Sequence, residues 1–194
     1  RNAKHDGKVT GTSNYVGGLI GYINGSLTME DSEQSDNVTS TGTQAGGIVG
    51  YTSSNGNTFT RVIMNGTTTG SEYTGGIIGQ VNHYNTVISN SEVKGNVTGN
   101  SSEVGGFIGY AYNAGQTSTS YKTTIQNSKM SADVNGTSSS YVGGLIGRVY
   151  YNATITNSSN TGKVTGTSSY VGGLVGQADI ARSEERRVGK ECRS

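Results

Sequence analysis

The side chains best able to do chemistry in this chain are few and far apart. His5 and His83 stand alone, the first near the start and the second in a turn beside Tyr84. Neither sits in an HExxH, CxxC, GxSxG or P-loop pattern, and none of these occurs in the 194 residues. Glu30, Asp31, Glu33 and Asp36 form the one acidic cluster outside residues 182–194. Hard cations such as Ca²⁺ take several carboxylate or carbonyl oxygens, so this stretch is the candidate cation loop. It lacks EF-hand spacing and a Gly-Asp nonapeptide repeat, and a solvated acidic loop is the plainer reading. The other carboxylates are scattered, whereas solenoids that cleave glycans bring acidic and basic groups together on one face. The sequence therefore points to no catalytic residue, no metal ligand and no cofactor, and to a chain that is not an enzyme.

Three recurrent features could instead make a surface. GGLIG at 17–21 invites a phosphate-loop reading, since glycine-rich turns cradle anions with backbone N–H groups. A phosphate loop occurs once and leads into a helix; this pentapeptide recurs at a fixed period, so a structural corner is expected. Tyr is the abundant aromatic, with 12 copies. Tyr15, Tyr73, Tyr141 and Tyr170 precede the glycine pair by two, while Tyr22, Tyr51 and Tyr110 follow it. Such columns can be stacked ladders covering coil edges, or an aromatic strip offering ring faces and hydroxyls to glycans. Thr10/Thr12, Thr39/Thr41, Thr67/Thr69 and Thr165/Thr167 are T-x-T pairs. On a flat sheet they would space side chains about 7 Å along and 4.8 Å across the rod, an array like that of ice-binding solenoids. Asn100 and Asn135 interrupt it, and polar β-branched residues suit any solvent-facing strand. Eight N-x-S/T sequons, at Asn24, Asn37, Asn65, Asn96, Asn100, Asn135, Asn152 and Asn157, follow from composition and are read as inert.

What must position these residues is a repeat. The pentapeptide stands at 17–21, 46–50, 75–79, 105–109, 143–147 and 172–176, with its first glycines 29, 29, 30, 38 and 29 residues apart. The long interval carries an insertion, placed near AGQTSTS at 114–120. GKVTGTS stands at 7–13 and again, letter for letter, at 162–168, with variants beginning at 36, 95 and 132. A third element runs from an apolar residue to Asn-Ser or Asp-Ser: Met29 to Ser32, Ile88 to Ser91, Ile125 to Ser128 and Ile155 to Ser158. The second unit reads TFTRVIMNG at 58–66 and aligns only loosely. Each unit thus holds three short β-type runs between Gly, Asn, Ser and Thr turns, and no run has a 3.6-residue apolar period. Such a unit cannot bury its own apolar side chains but can do so stacked on copies of itself. The expectation is all-β: a parallel β-helix of about six coils, each of roughly 29 residues and three short strands. Its interior ladders would be Val9, Val38, Val97, Val134 and Val164, and Ile20, Val49, Ile78, Ile108, Ile146 and Val175. The Leu19, Ile48, Ile77, Phe107, Leu145 and Leu174 column is equally apolar. Either the glycines turn both columns inward at a corner, or one column faces another layer. Asn90, Asn127 and Asn157 are expected as a turn ladder bonded to the next coil's backbone.

Composition limits what such a rod can do. Leu, Ile, Val and Phe make up under a fifth of the chain, too little for a conventional core, yet the net charge of +1 is not that of a disordered chain. No apolar run is long enough for a membrane helix, and near-neutral charge gives no basic face for nucleic acid. The chain begins at Arg1 without Met or leader and reads as an internal piece of a longer protein, continuous with further repeats. Ends that cut through a repeat should leave open sheet edges and concentration-dependent association.

The succession V-G-G-L-[IV]-G, I-x-N-S and G-x-V-x-G resembles the GLUG repeat of bacterial surface proteins, over about residues 7–181. That repeat is carried by large secreted adhesins of the filamentous-haemagglutinin type and by the non-catalytic region of immunoglobulin A-specific metallopeptidases. The resemblance implies an extracellular or cell-surface setting. The expected role is display or adhesion, with host or environmental glycans or matrix proteins as partners. The alternatives are an accessory, substrate-positioning region of a large secreted metallopeptidase, and ice binding by the threonine array. It brings no active site, and fold alone does not fix function. The segment 182–194, RSEERRVGKECRS, instead resembles an in-frame translation of a short-read sequencing adapter, matching from Arg182 to Cys192. The expected division is a repeat region, 1–181, and a non-native tail, 182–194. The tail holds five of the 14 basic and three of the 13 acidic residues, leaving nine and ten, a net charge of −1, and no cysteine.

Overall fold

The computed structural model describes residues 1–82, 85–113, 121–167 and 169–179. The insertion at 114–120, His83 with Tyr84, and the 182–194 tail lie outside the described residues. The described chain contains strands, turns and bends and no helix. Every strand pairs in parallel with its equivalents in the coils before and after it, giving four six-stranded sheets and one five-stranded sheet. This is the expected β-helix, with five coils followed by a sixth described through four strands.

Each coil has five strands rather than three. In the third coil they are Ile63–Met64, Thr68–Gly70, Tyr73–Gly75, Ile78–Asn82 and Thr86–Ser89, taken below as the first to fifth sheets. Two of the three motifs contain a corner of their own. The glycine pentapeptide bends at Gly76 and Ile77 and so supplies strands to both the third and fourth sheets. The I-x-N-S element bends at its asparagine, joining the fifth sheet to a two-residue strand of the first.

The glycine corner turns both apolar columns inward. Ile48, Ile77, Phe107 and Leu145 are fully buried, and so are Val49, Ile78, Ile108 and Ile146 beside them. No corner glycine here has a positive φ; the requirement is close approach. A Cβ on Gly75 would lie 2.0 Å from the Ile78 carbonyl oxygen, and one on Gly76 would lie 2.2 Å from that of Gly106 in the next coil. The valine column is interior as expected, with Thr68 as its third-coil member. A size exchange lies beside it. Gly99 faces Val104, whose Cγ2 would be 2.3 Å from an added Cβ. In the second coil Ser40 takes the glycine's register position, and Ala45 takes the valine's. The loosely aligned second unit is in register after all: Phe59 stands between Met29 and Ile88.

The asparagine corner works differently from expectation. Asn90, Asn127 and Asn157 have φ of 51°, 49° and 47°, the left-handed region that Asn tolerates. Asn157 Nδ2 donates to the Asn127 side-chain oxygen (3.3 Å), not to backbone. The following serine carries the inter-coil bonds. Ser91 Oγ donates to its own coil at Ser89 O (2.9 Å) and accepts the Val62 N–H from the coil before (3.0 Å). The Ser91 N–H in turn donates to Ser128 Oγ, and the Ser128 N–H to Ser158 Oγ. The column satisfies backbone donors that the turn would otherwise bury unpaired.

Candidate functional site

The richest chemistry lies outside the glycine corner, where the third and fourth sheets fold against each other. One column begins the third-sheet strands: Gln44, Tyr73, Glu103, Tyr141 and Tyr170. Its neighbour on the fourth sheet is Tyr22, Tyr51, Gln80, Tyr110, Arg148 and Gln177. Across the first four coil steps side chains pair diagonally, from one coil's first column to the next coil's second, whereas Tyr141 stacks on Tyr170 within the first column at 5.1 Å. Tyr15, just before its strand, stacks on Tyr51 at 4.9 Å between ring centroids. Gln44 Nε2 donates to Gln80 Oε1 at 2.9 Å. Tyr73 stacks on Tyr110 at 5.5 Å. Glu103 meets Arg148 at 3.5 Å. Ring therefore meets ring, amide meets amide, and acid meets base.

The last pair is the electrostatic centre of the strip. Arg148 donates to Asp179 Oδ2 through Nε and Nη2 at 2.9 and 2.8 Å, and its guanidinium lies 4.7 Å from the centre of the Tyr141 ring. Glu103 is left the longer contact; it is 4% exposed, and its Oε2 has no hydrogen-bond partner. Burial raises its pKa from 4.5 to about 7, outweighing the opposing pull of Arg148. Burial likewise raises Tyr51, Tyr73 and Tyr110. A carboxyl held near neutrality can move a proton, but a reaction also needs a second group and room for substrate. The described surroundings of Glu103 are tyrosine rings, one committed arginine and, near enough to act on its charge, the Glu72 carboxylate.

The other candidates are dispersed. Arg1 pairs with Glu30, Lys4 with Glu33, and Arg61 with Asp31 through two nitrogens (2.5 and 2.9 Å). The Asp36 carboxylate accepts the Asn37 backbone N–H. Among the described residues no three His, Cys, Asp or Glu side chains come together as a metal site. His5 occupies the first coil's place in an interior column and bonds Gln34 through Nδ1 at 2.9 Å. The T-x-T array is not a flat face. Thr10, Thr39, Thr69, Thr98, Asn135 and Thr165 form one strand column, so Thr67/Thr69 is out of step with the other pairs. Thr12, Thr41 and Thr167 lie beyond the strands, in bends, and Thr167 Oγ1 donates to the Thr137 carbonyl (2.7 Å).

The sequence contains every residue of the strip but hides their pairing, because diagonal partners lie 36 or more residues apart in different motifs. With this geometry in view, the comparisons with known proteins read simply. Residues 138–165 match the family model of the GLUG motif, and the pairings above carry their register to the other coils. The chain thus carries the GLUG-type repeat that its sequence resembles. No curated protein matches it. A solved structure does, titled "putative immunoglobulin A1 protease" and coming from Bacteroides ovatus. It matches with a TM-score of 0.61 and 19% identity, over 92% of this chain and 62% of that one. This chain spans less than two thirds of that neighbour, and the likeness is one of fold.

Proposed function

We propose that residues 1–179 serve as a non-enzymatic rod within a larger secreted or cell-surface protein, displaying other parts of it or adhering through its repeated surface. The observation that carries this reading is the use made of reactive side chains. Glu103, Arg148, Asp31, Glu33 and the tyrosines contact residues of neighbouring coils and hold the rod together. Host or environmental glycans and matrix proteins are the partners such a surface would meet, through shallow contacts that add over coils. Glycan-array and matrix-binding assays test this, alongside screens for glycan and peptide cleavage. Binding that falls as coils are removed, without turnover, supports the rod. Turnover abolished by Glu103→Gln would overturn it.

A second reading, favoured by the solved neighbour, makes the rod an accessory region that positions substrate for a secreted peptidase. Its expected signature is binding of the peptidase's protein substrate by this rod alone.

A further inference from the structure

We propose that the outer side of the asparagine corner, where it enters the third, fourth and fifth coils, binds a sugar that carries a carboxylate. This rests on the adhesive reading of the rod and gives that surface one place and one chemistry. The site is a shallow depression of about 580 Å³ lined by Arg61, Ile63, Asn90, Glu92, Asn127 and Lys129, a size that suits a small ligand.

Two of these residues break the repeat. The corner column runs Asp31, Arg61, Asn90, Asn127 and Asn157, all with φ between 47° and 54°. That left-handed conformation suits Asn and Asp, whose short polar side chains bond locally, and is uncommon for a long side chain. Arg61 holds it nonetheless. Two residues further on, the outward column of the first sheet reads Lys4, Glu33, Ile63, Glu92, Lys129 and Ser159. Ile63 is its one apolar member and is half-buried, while Met64 beside it fills the core. Coils with Asn and a charged residue at these two places stack in the same register, so stacking requires neither departure. An unfavourable backbone conformation that the fold does not demand points to use of the side chain. Both departures fall in the one depression.

The lining defines what fits. Arg61 engages Asp31 through Nε and Nη2, which fixes the guanidinium and leaves Nη1 without a partner among the described residues. Two coil steps away, about 10 Å at the spacing of paired strands, Lys129 is exposed and makes no ion pair among the described residues. Between them stands the Asn90 amide, also unbonded among the described residues, and Asn127, whose side-chain oxygen accepts from Asn157 and whose Nδ2 remains to donate. Glu92 accepts the Ser131 hydroxyl at 2.8 Å and lies 3.7 Å from Lys94; its remaining lone pairs can accept hydroxyls. Lys129 then takes the carboxylate with the Asn127 amide beside it. Asn90 and Glu92 meet hydroxyls, Arg61 Nη1 donates to an oxygen at the far end, and Ile63 lies under the apolar side of the sugar. A polyphosphate would set several charges against Glu92. A neutral sugar would leave Lys129 unpaired, and no aromatic ring lines the depression to stack it.

NMR titration of the full, isotope-labelled chain tests this. The probes are cellobiouronic acid and sialyllactose, two sources of a sugar carboxylate, with cellobiose and lactose as their neutral counterparts and acetate as a bare anion. At least one acidic sugar should shift the side-chain amide signals of Asn90 and Asn127 saturably, and the one that does names the source. Its neutral counterpart and acetate should bind roughly tenfold more weakly or less. Lys129→Ala should weaken binding by a similar factor, and Arg61→Asn, which gives the column its usual residue, severalfold. Circular dichroism verifies folding; should Arg61→Asn disturb the corner, Lys129→Ala at its exposed position carries the test. Equal binding of the neutral sugar or of acetate, or unchanged affinity in folded Lys129→Ala, would overturn the proposal. Silence of the Asn90 and Asn127 amides would also overturn it, and glycan binding elsewhere along the rod would then leave the adhesive reading standing.

Discussion

Inside and outside of the glycine corner obey different rules, although the same coils build both. Inside, a column repeats one kind of residue: Ile48, Ile77, Phe107 and Leu145 are all large, apolar and buried. Such a ladder stabilises stacking but does not identify coils, because any coil would stack acceptably on any other. Outside, the columns change from coil to coil, yet over four successive coil steps each side chain of the first column finds a matching partner diagonally, while Tyr141 stacks on Tyr170 in its own column. Mis-stacking by one coil would set Gln44 against Tyr110 and Glu103 against Gln177. The ladders provide cohesion, and the diagonal pairs specify which coil follows which. Buried polar pairs elsewhere set register at some cost in stability, and the corner strip is placed to do so here.

The largest expected effect is on the ladder. Ile78→Asp buries a charge with no partner between coils and should cost about 3–5 kcal/mol, enough to unfold a marginal domain. Urea denaturation followed by circular dichroism checks this. A cost below that of an ordinary surface change would place Ile78 outside the core.

Next comes pH, through Glu103. The carboxyl ionises near 4.5 in an unfolded chain and near 7 in the fold. Between those values the native state binds the extra proton, so stability falls as pH rises from about 4.5 to 7 and then levels off. The loss is about 3 kcal/mol. Glu103→Gln should flatten that slope and raise the melting temperature at pH 8. An unchanged slope would mean that Glu103 is ionised in the fold well below pH 7.

Smaller still is the coupling within a diagonal pair. A double-mutant cycle on Gln44 and Gln80 should yield about 1 kcal/mol, and one on Gln44 and Arg148 close to zero. Equal couplings would dissolve the distinction between ladder and strip. At the bottom of the scale, Thr98→Asp on the half-buried outer column should change stability by less than about 0.5 kcal/mol.

The ladders were legible in the sequence because each residue recurs at the coil period, and Val97 or Ile108 needs only one glance up and down the repeat. Strand number was not, since runs as short as Glu92–Val93 have no alternation to read. Nor was the role of I-x-N-S: the asparagine supplies a backbone conformation, while the serine supplies the inter-coil bonds. The strip was the least legible. Sequence showed that Tyr73 and Tyr110 lie near glycine pairs, but no spacing reveals that Gln44 reaches Gln80 or Glu103 reaches Arg148. Those contacts exist only once two sheets fold against each other across one coil step.

Native-state hydrogen exchange resolved by residue tests the coil stack most directly. Amides of Ile77, Ile78, Phe107 and Ile108 donate to the following coil within the buried corner. They should be the slowest to exchange, with protection decreasing toward the first and sixth coils. Rapid and uniform exchange across residues 4–179 would contradict the account.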